Sequence, residues 1–183
     1  MSEAELLLIG MTLVLATGMV RCVDGLYHAM MSPRRYWIPQ VLLWSTFIYG
    51  ANFLWAYKDN LMEDPSYPLY ASTIAIAATF VLRAHILATN DPALVEDWAD
   101  HFDKSARPYF VVAFLTSACS VIAAWSAKES SGFDAASIPF WIGMGLNATG
   151  AISKKVWVRG TVAVLHLTLV VLASYILFSN DLI

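Results

Sequence analysis

Six stretches of this chain, residues 6–20, 36–57, 65–82, 108–127, 135–153 and 160–180, run 15 to 22 residues without one charged side chain. With modest extension at its ends, each is long enough to cross a hydrocarbon layer of roughly 30 Å as a helix. The fold class expected is therefore all-α: a polytopic integral membrane protein, a bundle of six transmembrane helices with spans at about 5–31, 36–57, 67–90, 107–127, 135–153 and 156–179. A soluble domain carries about 25% charged residues. This chain has 14% charged and 58% hydrophobic residues, more apolar surface than 183 residues can hide in a core of their own. Short connections make it a single membrane domain over residues 1–183.

The amino terminus has an apolar run of signal-peptide length, but Met-Ser-Glu-Ala-Glu before it is acidic instead of basic. It is read as the first span. Cys22 and Cys119 both fall in apolar surroundings and read as small buried hydrophobes, so they carry no metal or redox signal.

Loop charges set the sidedness. Arg34, Arg35, Lys104, Arg107, Lys154, Lys155 and Arg159 fall in connections on one side, against Lys58 and Lys128 on the other. Basic residues stay on the cytoplasmic side during insertion, so both termini are expected outside the cytoplasm, most simply in a bacterial inner membrane. Trp37, Trp55, Trp125 and Trp157 stand at span ends, where an indole buries its ring and wets its N–H.

The longest connection reads as a short amphipathic helix between spans three and four, lying on the interface. Asp91 and Pro92 supply a helix start, and Leu94, Val95, Trp98 and Phe102 recur at helical spacing. The acidic residues around it, with His101, read as a solvated face, because a hard cation needs six or more oxygens. No His-Glu-x-x-His, nucleophile elbow or phosphate loop is present, so a non-enzyme is expected. Gly143, Gly145 and Gly150 suit close helix packing; the alternative is a loosened helix lining a passage, with Asn147 facing it.

The functional signal is a set of ionisable groups inside the spans. Arg21, Asp24 and His28 share one face of the first helix, Arg83 and His85 lie in the third, and His166 in the sixth. A charge at mid-membrane costs at least about 2.5–3.5 kcal/mol, so such groups pair or line water. Counted from span ends taken as level, Asp24 and Arg83 have matched depth and are expected to pair, with His85 turned away. Two arginines against one aspartate still leave an excess positive charge in the spans.

Three function classes follow. A small channel or transporter gathers Arg21, Asp24, His28, Arg83, His85, Asn147 and His166 around a net-positive, cytoplasm-facing cavity for an anion or small solute, with His166 as its inner limit. A structural or assembly subunit uses the same groups only to staple helices. A haem b anchor requires His28 and His85 as axial ligands and is otherwise unsupported, so no cofactor is expected. Besides lipid, a second copy of the chain is an expected partner, and nucleic acid is not. A reporter active only in the cytoplasm, fused after Ile183, is expected to stay silent; strong activity would invert the sidedness.

Overall fold

The computed structural model describes residues 3–62, 66–128 and 137–180. Six α-helices account for nearly all of them: α1 Glu3–Met31, α2 Trp37–Met62, α3 Tyr67–Ala88, α4 Trp98–Lys128, α5 Ile138–Ile152 and α6 Val156–Asn180. Among the described residues there is no strand. Four of the helices are long and apolar enough to cross a membrane, through Leu8–Met31, Tyr67–Leu94, Trp98–Ser126 and Val156–Ile176. α5, with 15 residues, is only about 22 Å long at 1.5 Å per residue.

The helices close into a ring in the order α1, α2, α6, α5, α4, α3, with α2 also reaching across to α3 and α4. α1 and α3 run parallel: a Cβ on Gly18 would stand 3.4 Å from Val81 Cα, and one on Gly25 would stand 3.1 Å from Ala88 Cα. α2 and α6 also run parallel, since Ile38 lies against Gly160, Ser45 against His166 and Asn52 against Ser174. α4 and α5 run antiparallel, with Phe110 against Gly150 and Ser117 against Gly143.

The segment expected as a separate interfacial helix is not one. Pro92–Leu94 is a single 3₁₀ turn, and Trp98 begins α4. Asp97 caps that helix: its carboxylate accepts from Ala99 N–H at 2.9 Å and Asp100 N–H at 3.3 Å. Those two backbone donors, aided by Arg34, hold its carboxyl below the ordinary value. The physical reason for the difference is continuity of the buried stripe. Trp98, Phe102, Ala106, Tyr109, Phe110 and Ala113 are all buried at one helical spacing, so the amphipathic pattern is the first two turns of α4 itself. Pro108 lies within α4 without ending it, while Leu94 stands 75% exposed, off that stripe.

One end of the bundle is laced by polar contacts among connections and helix ends. Arg34 pairs with Asp97 at 3.3 Å, Arg159 with Asp103 at 3.0 Å, and His101 Nε2 meets the Leu87 carbonyl at 2.9 Å. The side chains of Lys58 and Lys128, and residues 63–65 and 129–136, on which the expected sidedness also rests, lie outside the described residues. The four end tryptophans, Trp37, Trp55, Trp125 and Trp157, are all exposed.

α1, α2 and α3 meet at one close joint. The Phe80 ring is fully buried in a notch between Gly18 and Gly50, where an added Cβ would stand 2.5 Å and 2.6 Å from ring carbons. A ring packed on both sides has nowhere to go, and overpacking of this kind costs about 1–3 kcal/mol. Gly50→Ala is expected to lower thermal stability in detergent by about that much. Adding Phe80→Leu should recover part of the loss; if the two losses simply add, the notch is not the cause.

Candidate functional site

Arg83 stands at the centre of the structure, 1% exposed, on the α3 face turned toward α2 and α4. Its Nη2 donates to Tyr109 Oη at 3.0 Å and to Thr46 Oγ1 at 3.3 Å. Its Cζ lies 5.3 Å from the centroid of the Tyr109 ring and 5.6 Å from that of Tyr49, within cation–π range. Nε is buried without a hydrogen-bond partner. No carboxylate pairs with this guanidinium among the described residues.

Thr46 reaches the Leu42 carbonyl at 2.8 Å and shares a hydrogen bond with Tyr109, 3.0 Å away, while its oxygen accepts from Arg83. Tyr109 in turn accepts from Arg83. One turn further along α2, Tyr49 Oη and Ser120 Oγ share a hydrogen bond at 2.8 Å, and Ser120 also reaches the Thr116 carbonyl at 2.9 Å. The dipoles point their oxygens at the cation, as a buried charge requires, but they carry no net charge with which to neutralise it.

The other sequence-predicted residues are distributed, not gathered. Asp24 does not meet Arg83. It pairs within its own helix, with Arg21 at 3.7 Å and His28 at 3.3 Å. The expected match of depths fails because the ends of α1 and α3 are not level. Gly25 abuts Ala88, so Asp24 stands beside Leu87, one turn or about 6 Å beyond Arg83. Arg21 reaches past the end of α3 and donates to the Asn90 carbonyl at 3.1 Å. The excess positive charge counted in the sequence therefore resides on Arg83.

Arg21, Asp24 and His28 keep side-chain exposures of 31%, 39% and 29%. Asp24 edges an open apolar groove of about 500 Å³ walled by Met19, Val20, Val23, Tyr27 and Phe47. His28, protonated at Nδ1, also donates to the Asp24 carbonyl, 3.0 Å away. In the α1–α3 register His28 lies six residues, about 9 Å, beyond the level of half-buried His85, so the two do not face each other as axial ligands must.

Asn147 and His166 each join one pair of helices. Asn147 is fully buried and donates to Ser117 Oγ at 3.3 Å, with Oδ1 left unpartnered. His166 is 5% exposed, and its Nδ1 lies 2.6 Å from Ser45 Oγ. Neither is hydrogen-bonded to Arg83, whose partners are Thr46 and Tyr109.

Sequence reading passed over Thr46, Tyr49 and Tyr109, since uncharged hydroxyls leave an apolar run unbroken. For the α2 residues the signal was spacing: Ser45, Thr46, Tyr49 and Asn52 place polar groups on successive turns in the middle of α2. No group of three or more His, Cys, Asp or Glu able to hold a metal occurs among the described residues. No protein-family model, curated protein or solved structure matches this chain.

A hydrogen bond to a charged group contributes about 1.5–3 kcal/mol. Tyr109→Phe is expected to lower stability by about that amount, and by clearly less when Arg83→Met has already removed the cation. Equal losses in both backgrounds, measured by thermal unfolding in detergent, would show that Tyr109 acts by packing alone.

Proposed function

We propose that this chain is a small membrane transporter of the carrier kind, and that Arg83 is the group that takes its anionic solute. The observation that carries the reading is the buried guanidinium with an unpartnered Nε and no carboxylate beside it. After relaxation, a buried ion still costs several kcal/mol unless it is paired. Hydroxyl oxygens and tyrosine rings offset part of this, while a bound anion would remove the net charge outright. In this reading all six helices span a bacterial inner membrane, α2 lying alongside α6, with both termini outside and the ion-paired end of the bundle facing the cytoplasm.

A carrier fits better than an open pore. His166, expected at the inner limit of a passage, is held against Ser45, Ser174 accepts from Asn52, and Asn147 donates to Ser117. The competing reading is a structural or assembly subunit. It is favoured by the staples His166 to Ser45, Asn147 to Ser117 and Asn52 to Ser174, each of which joins two helices and requires no ligand.

Ligand-dependent stability separates the two, because binding to the folded state alone raises stability by about 2.7 kcal/mol at a hundred times Kd. The protein purified in a salt of a bulky organic anion should gain thermal stability, saturably, from at least one small inorganic anion at constant ionic strength. Arg83→Gln should lose that response. A melting curve indifferent to every anion tested leaves the assembly reading in possession.

A further inference from the structure

The donors around Arg83 decide what kind of anion the site can take, and its burial decides how the anion must move. The two hydroxyls in contact with the guanidinium, Thr46 and Tyr109, share one hydrogen bond and Thr46 also reaches the Leu42 carbonyl, so at most one of their two protons is left for a ligand. Tyr49 is tied to Ser120. What remains beyond that is the guanidinium itself, with Nε buried and unpartnered. A phosphate or sulfate brings several oxygens, each needing donors this site does not hold, and would leave most of them unsatisfied in a dry interior. A monatomic anion makes no such directional demand. Its single charge also equals the single uncompensated charge present.

The same burial acts on the empty protein. Arg83 is 1% exposed and Thr46 and Tyr109 are buried with it, so the closed bundle encloses a bare cation unless the site is filled. A carrier must pass through a closed state each time it changes the side it faces. With the anion bound that state is neutral; without it, the charge stands alone in low dielectric and the passage is slow.

We propose that Arg83 binds one halide-sized monovalent anion, and that the protein moves it by anion-for-anion exchange in preference to net flux. This deepens the carrier reading and rests on it.

The test uses the full-length chain in phosphatidylcholine vesicles, with radiolabelled chloride outside and a potassium ionophore present to remove any membrane potential. Vesicles loaded with chloride should take up label at least roughly tenfold faster than vesicles loaded with gluconate, the margin set by the cost of an unpaired buried charge. Arg83→Gln, which removes the charge, should abolish the difference; external sulfate should compete poorly with chloride. Equal uptake into both sets of vesicles would overturn exchange while leaving Arg83 as an anion site. Competition by sulfate as strong as by chloride would overturn the size argument. No uptake in either case, with chloride-dependent melting intact, would overturn transport by exchange and leave binding alone. Loss of both uptake and chloride-dependent melting would remove the carrier reading with it.

Discussion

A charge enclosed by helices and lacking a counter-charge is the constraint to which the rest of this bundle conforms. Arg83 requires oxygen atoms aimed at it from outside its own helix, since α3 offers none at that level. α2 supplies Thr46 and α4 supplies Tyr109, while the Tyr49 and Tyr109 rings lie within cation–π range of the guanidinium. The need to bring these groups within 3 Å or so of one nitrogen fixes α2 against both α3 and α4. It also accounts for the crossing position of α2, which touches four other helices.

α2 is consequently the least lipid-like helix in its chemistry, though not by charge. Ser45 faces His166, Thr46 faces Arg83, Tyr49 faces Ser120 and Asn52 faces Ser174. Adjacent residues thus address different neighbours. Interhelical hydrogen bonds in membranes contribute on average only about 0.6 kcal/mol each. Their combined effect is specificity of register more than strength. The parallel pairing of α2 with α6 is set three times over, at Gly160, His166 and Ser174. The close joint of Phe80 with Gly18 and Gly50 is of the other kind, apolar and tightly packed, and it brings α1, α2 and α3 together at one level.

The helical class was legible because charge-free runs of spanning length have few other physical outcomes. Helix bounds were legible at Met31 and near Ala88, where polar residues and turn formers follow. The start of α4 was not, because the charges of residues 96–107 suggested an aqueous connection, although Trp98, Phe102 and Ala106 already lay on the stripe that continues through Tyr109 and Ala113. The arithmetic of charges correctly left one cation over. Its address was missed, because depth was counted from helix ends assumed level, and axial offset between neighbouring helices has no trace in a single sequence. It arises from packing: Gly18 and Gly25 let α1 approach α3 only in the register that places them against Val81 and Ala88. The hydroxyl partners were hidden for a different reason. Thr, Ser and Tyr are compatible with both lipid and polar contacts, so only the position of a neighbouring helix reveals which they serve.

That Arg83, and not Arg21, carries the unmatched charge follows from how α3 ends. Thr89 adopts φ 59 and ψ 174, a conformation left almost entirely to glycine and costing a β-branched residue about 1–3 kcal/mol. The turn it makes presents the Asn90 carbonyl to Arg21, which already has Asp24 on its own helix. Arg21 is thereby satisfied at the rim, partly exposed, with a carboxylate and a carbonyl within reach. α1 overhangs α3 by the same turn, which carries Asp24 past the level of Arg83 and out of pairing distance. One strained residue at a helix end and one glycine-set register therefore act together. They engage Asp24 at the rim of the bundle, and leave the guanidinium at its centre without a carboxylate partner among the described residues.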